Sequence, residues 1–152
     1  MAAIKRSANV VWDGTIARGT GQLSGDSGAF AALPVTAASR FGEPEGKTSP
    51  EELIAAAHAA CFTMMLGTIL AGDHTPPEQL TVNAVVTLEE TDGGYAITTS
   101  ELDVVGRVAG IDQATFERAV QAAELTCPVS RALTGNVEIR ARGRLEESVP
   151  AS

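Results

Sequence analysis

Two cysteines, Cys61 in "HAACFTMML" and Cys127 in "LTCPVSRAL", are the residues of this 152-residue chain best suited to covalent chemistry. A thiolate is a nucleophile, and two thiols that meet can cycle between reduced and bonded forms as the halves of a redox device. Pro128 follows Cys127, and proline favours the first position of a helix, so Cys127 is a candidate N-cap. A thiolate there faces unpaired backbone N–H groups and the positive end of the helix dipole, which lower its pKa. The plainer reading is a small capping residue without chemistry. Cys61 lies deep in an apolar helix, where burial raises a thiol's pKa, so a reactive Cys61 needs a cation or a donor beside it. His58 stands three residues earlier on the same helix face. It is either a partner of the thiol or a core histidine bonded to a backbone group, and the second reading is preferred.

Arg40 and Glu51 flank the loop before this helix. Arginine keeps its charge wherever it is placed, so Arg40 could stabilise a thiolate and bind an oxygen of a polar substrate group, with a carboxylate holding it in position. Glu51 precedes Cys61 by ten residues, roughly 15 Å along a continuous helix. Either Arg40 folds back to bridge that gap, or the glutamate meets the cysteine of a second subunit. The bland alternative is two solvated surface charges. There is no C-x-x-C, no zinc-ligand spacing, no G-x-S-x-G and no phosphate loop, so neither a metal nor a nucleotide cofactor is expected.

The elements that must position these groups read as follows. "NVVWDGTIARGTGQLS" carries a D-G pair between two runs, a hairpin signal, and "ALPVTAAS" offers a third strand. "FGEPEGKTSP" is a loop. "TSPEELIAAAHAACFTMMLGTILAG" then opens a helix with Ser49 as cap, Pro50 first and Glu52 completing a capping box. From Leu53 to Ala71 it is apolar on all sides, which predicts burial all round, with close helix packing and a possible subunit contact through its small residues. Residues 80–109 read as a second hairpin turning at "TDGG". "GIDQATFERAVQAAELT" is an amphipathic helix from near Asp112, with Ala114, Phe116, Ala119, Val120 and Ala123 toward the core. A short helix ending at Gly135 and a last strand, "NVEIRARGRLEE", complete a single α+β domain over residues 1–152.

Composition narrows the function classes. The length suits one core, and 44% hydrophobic with 20% charged residues is globular. A net charge of −8 repels phosphate backbones and anionic lipid, so nucleic acid is a poor partner. The N-terminal "MAAIKRSANVVWDG" has no apolar run behind its cations, so no signal peptide is read and a cytoplasmic location is expected. The long helix is weighed as a membrane span and set aside, because many of its residues are Ala, Gly and Thr and no basic flank follows.

"TSPEELIAAAHAACFTMML" with "GIDQATFERAVQAAELTCPVSRAL", joined by "VVWDGTIARGTGQLS" and "SRFGE", resembles the OsmC/Ohr family across essentially the whole chain, nearer the OsmC branch. One departure is Ser49, where that family more often shows Asn; both cap well. The resemblance implies antiparallel sheets wrapped around a long central helix in an intertwined homodimer with interfacial sites. It also implies a thiol peroxidase for organic hydroperoxides, with hydrogen peroxide as a further substrate. Cys61 would be the peroxidatic residue and Cys127 the resolving one, closing a disulfide. Arg40 and Glu51 match the activating pair, with Arg18 a second candidate arginine and His58 a secondary residue. An external dithiol, such as a dihydrolipoyl protein, would reset the enzyme. Two readings stand against this one: a stress-response or binding module with structural cysteines, and hydrolysis by Cys61 with His58.

Overall fold

Strand β1, Ala8–Asp13, pairs antiparallel with β2, Thr20–Gly25, and β3, Leu33–Val35, pairs on the other side of β2. The Asp13-Gly14 pair does not make the tight hairpin turn its sequence predicts. The strands rejoin only at Asp13↔Thr20, and the intervening loop is closed by Gly19 N–H donating to the Thr15 carbonyl at 2.6 Å. Gly19 is required there, because a Cβ would lie 2.3 Å from the Asp13 carbonyl oxygen and 2.7 Å from the Trp12 indole nitrogen. The third strand is also shorter than expected. Thr36 accepts from Ser39 N–H at 3.0 Å, and the Ser39 hydroxyl accepts from Thr36 N–H at 3.0 Å. This reciprocal capping box starts helix α1, Ala37–Phe41, where extended chain was expected.

The computed structural model describes residues 2–147, which form two compact units dividing between Leu53 and Ile54, inside helix α2, Pro50–Gly72. Pro50 opens α2 as anticipated, and the Ser49 hydroxyl accepts from Glu52 N–H at 3.1 Å. The other half of the expected box is replaced: Glu52 accepts from the Thr48 hydroxyl at 2.7 Å instead.

In the second unit, α2 contributes His58, Phe62, Leu66 and Leu70 to the interior, all within 1% of complete burial. Their spacing of four makes one stripe. Burial all round is not what the single chain achieves: Ala57, Ala60, Met64, Thr68 and Ala71 form an exposed stripe, with Met64 73% exposed. The helix is long and apolar enough to cross a membrane, but its Phe62, Leu66 and Leu70 side is part of the chain's own core.

Strands β4, Gln79–Thr91, and β5, Gly94–Arg107, form a long hairpin closing at Thr91↔Gly94 with a bulge at Thr87/Leu88. Asp112 caps helix α3, Gln113–Thr126, through Thr115 N–H at 2.8 Å. Helix α4, Pro128–Leu133, follows, then strand β6, Glu138–Glu146. Beside the antiparallel pairings expected, β6 joins β5 in parallel, because the α3–α4 crossover returns the chain to the end of the sheet where β5 began. Phe116, Ala119, Val120 and Ala123 are buried as read, whereas Ala114 is exposed. The Phe116 ring seats against two glycines: a Cβ on Gly106 would lie 2.5 Å from it, and one on Gly143 3.2 Å.

Candidate active site

In the first unit the structure brings Arg40 and Glu51 together. Arg40 ends α1 and Glu51 lies in the first turn of α2, so the loop between them folds two helix termini onto one another. The Arg40 Nη2 donates to Glu51 Oε1 at 2.7 Å, and Nε donates to both carboxylate oxygens at 3.1 and 3.3 Å. The glutamate side chain is 10% exposed and the arginine 36%, so the carboxylate is the inner, fixed member. The guanidinium also sits 5.4 Å from the centre of the Phe41 ring. Arg40 forms one wall of an apolar cavity of about 280 Å³, whose other walls include Val10, Trp12, Leu23, Val35 and Phe41. Arg18 lies on the exposed turn between β1 and β2 and does not line that cavity.

In the second unit the two cysteines meet. The Cys61 thiol, half-buried on α2, lies near Cys127 and near the backbone N–H of Val129 in the first turn of α4, close enough for both to act on its titration. Both are free thiols. Cys127 is completely buried and does stand as the N-cap of α4, with Pro128 behind it, but its side chain makes no capping hydrogen bond. Burial pushes the Cys61 thiol up, the Val129 N–H pulls it down, and the neighbouring Cys127 adds to the rise; the net direction is up. No cation within residues 54–147 acts on Cys61.

His58, one turn before Cys61, does not touch the thiol among the described contacts. Its Nδ1 lies 2.7 Å from the Ser100 hydroxyl of β5 and its Nε2 2.8 Å from the Ser130 hydroxyl of α4. All three side chains are at least 99% buried. The expected core histidine is therefore correct in kind, but its partners are side chains rather than a backbone group. One ring nitrogen donates and the other accepts, so a neutral imidazole satisfies both hydroxyls, and burial holds its pKa below the usual histidine value. No cluster of three metal-ligating side chains exists among the described residues.

A family model described as OsmC-like protein matches residues 42–142, a span that contains Glu51, Cys61 and Cys127. The chain belongs to the OsmC-like family. It is 40% identical over 136 residues to Peroxiredoxin OsmC of Escherichia coli (strain K12), covering 90% of this chain and 94% of that protein. It is 33% identical over 93 residues to an Organic hydroperoxide resistance protein of Xanthomonas axonopodis pv. citri, covering 60% and 63%. A crystal structure of an organic hydroperoxide resistance protein OsmC from Legionella pneumophila superposes with a TM-score of 0.74 at 26% identity, covering 98% of this chain and all of that one.

For this OsmC-like chain, sequence reading passed over Ser100, Val129 and Ser130. A signal for Ser100 was available: Ser100, Leu102, Val104, Gly106 and Val108 alternate as the buried positions of β5 and the residues just after it, so a serine occupies a place that otherwise takes apolar residues or glycine. Ser130 follows Cys127 by three residues and carries no such mark in sequence.

Proposed function

We propose that this chain reduces organic hydroperoxides, ROOH to ROH, with Cys61 as the peroxidatic thiol and Cys127 as the resolving thiol. The observation that carries the reading is the meeting of two free thiols, one half-buried and one fully buried, in a chain whose relatives are named for peroxide chemistry. The Cys61 thiolate attacks one peroxide oxygen, the O–O bond breaks, and the alkoxide leaves and takes a proton. Sulfur is oxidised to the sulfenic acid and the peroxide is reduced. Cys127 then displaces water from that sulfur, closing the disulfide, which an external dithiol reopens. A dihydrolipoyl group is the reductant the family resemblance favours.

Burial raises the Cys61 thiol, so this chemistry calls for a cation, and Arg40, held by Glu51, is the residue that the family resemblance assigns to that role. The apolar cavity beside Arg40 suits an organic tail. The exposed stripe of Ala57, Ala60, Met64 and Ala71 supports a homodimer packed through α2.

The test is turnover of an alkyl hydroperoxide with excess dithiol, together with a thiol count. Cys61→Ser is expected to lose turnover, while Cys127→Ser consumes one equivalent of peroxide and then recycles slowly or not at all. Full turnover in Cys61→Ser refutes the assignment, and thiols that resist stoichiometric peroxide identify structural cysteines. A monomer in solution would remove the dimer and any role for a partner's Arg40.

A further inference from the structure

The contacts of His58 and those of Cys61 join the same two elements at adjacent points. On α2 they start from residues three apart; on α4 the imidazole is bonded to the Ser130 hydroxyl, and the thiol lies near the N–H of the preceding residue, Val129. Cys127 belongs to the same turn: its carbonyl accepts from Arg131 N–H at 3.0 Å and its own N–H donates to Ala123 at 2.8 Å. Ser100 braces the ring from β5, so the imidazole cannot rotate without breaking a buried hydrogen bond.

We propose that His58 is a positioning residue that fixes α4 on α2 and thereby sets the rate at which Cys127 closes onto oxidised Cys61. This rests on the peroxidase reading above. In the step it governs, the Cys127 sulfur attacks the Cys61 sulfur, the S–O bond breaks, and hydroxide leaves with the Cys127 proton as water. No outside oxidant or reductant enters. Because Cys127 is wholly buried, it cannot find Cys61 by swinging through solvent; its approach is fixed by where α4 sits. Peroxide attack draws on α4 only through the Val129 N–H beside Cys61, whereas closure needs Cys127 itself to be carried in, so closure is the step more sensitive to a loosened α4.

Rapid-quench alkylation with mass spectrometry reads sulfenic acid formation and disulfide closure separately. Ser130→Ala, which frees α4 from the ring, is expected to slow closure about ten-fold relative to sulfenic acid formation, and to accumulate sulfinic acid under excess peroxide. Ser100→Ala removes an equivalent hydrogen bond from the same ring but leaves α4 tied, and should keep the ratio within about two-fold of wild type. A merely structural histidine predicts that both serine variants behave alike, and that result overturns the proposal, as does an unchanged ratio in Ser130→Ala. Should Ser130→Ala not fold, His58→Gln, which can bridge two hydroxyls, is expected to preserve the ratio, and His58→Asn, one methylene shorter, to lower it; equal ratios overturn the proposal. A wild-type protein that forms no sulfenic acid instead sinks the peroxidase reading, and this inference with it.

Discussion

Two polar groupings in this chain use opposite physics. Arg40 and Glu51 are an ion pair with the cation more than a third exposed, at the wall of an apolar cavity. His58, Ser100 and Ser130 form a neutral network sealed in the core. A charge near solvent contributes little to stability, since water solvates it almost as well in the unfolded chain. A buried network contributes little net energy when complete, yet costs several kcal/mol when one member is removed, because the remaining hydroxyls lose water and gain no partner. The ion pair is thus free to serve chemistry, whereas the network holds geometry.

The sharpest way to break this contrast is to remove one member from each side. His58→Leu strands two serine hydroxyls and should lower the unfolding free energy by about 3 kcal/mol, read by urea denaturation. Arg40→Leu leaves the Glu51 carboxylate, 10% exposed, without its cation and should cost about 1–2 kcal/mol, less than the loss of the imidazole. Its effect belongs in kcat/KM for an alkyl hydroperoxide, which should fall about a hundred-fold, the scale of losing one charged stabiliser at a reacting centre. If Arg40→Leu unfolds the protein, or leaves peroxide reduction intact, the division of labour is wrong. Glu51→Gln is gentler: the amide oxygen still accepts from Arg40, so kcat/KM should fall only about ten-fold, the strength lost when a charge-assisted bond becomes neutral.

The same contrast explains how much could be read from sequence. Local signals carried well: Ser49 and Asp112 cap their helices, Pro50 opens α2, and Asp92 with Gly93 turns the long hairpin. Direction and face did not. The strand pattern of β6 is the same whether it pairs parallel or antiparallel, and only the α3–α4 crossover decides. In α2 both stripes are largely apolar, so no periodicity tells the Phe62–Leu66–Leu70 side from the Ala60–Met64 side. The two complementary charges of Arg40 and Glu51 at the ends of one loop left solvated surface charges the simpler reading, and their pairing was expected only from the family resemblance. The meeting of Cys61 and Cys127 came from family resemblance, because residues 66 positions apart share no local signal. Cys127 stands at the N-cap that Pro128 predicts, but its side chain makes no capping hydrogen bond, and nothing local in the sequence tells a cap that bonds from one that does not.

The smallest effect separates the two groupings by pH. Burial lowers the His58 pKa, so on acidification the unfolded chain takes up a proton near pH 6.5 that the folded imidazole refuses. The unfolded state then binds more protons, and stability falls as pH drops below about 6.5, by at most about 1.4 kcal/mol per pH unit, until the folded group itself titrates. Asp112, whose carboxyl is held low by the Thr115 hydrogen bonds, weakens the fold further only at more acid pH, near the ordinary carboxylate range. Glu124, raised by burial, has the opposite sign, its folded form taking a proton first and gaining relative stability as pH falls. Urea midpoints at pH 7.5 and 5.5 isolate the histidine by comparison with His58→Gln, which can keep both hydroxyl contacts but cannot titrate. Wild type should lose stability between those two values and His58→Gln should lose less. Equal losses would mean that the imidazole readily accepts a proton between its two serines, and the sealed, neutral network would no longer stand apart from the ion pair.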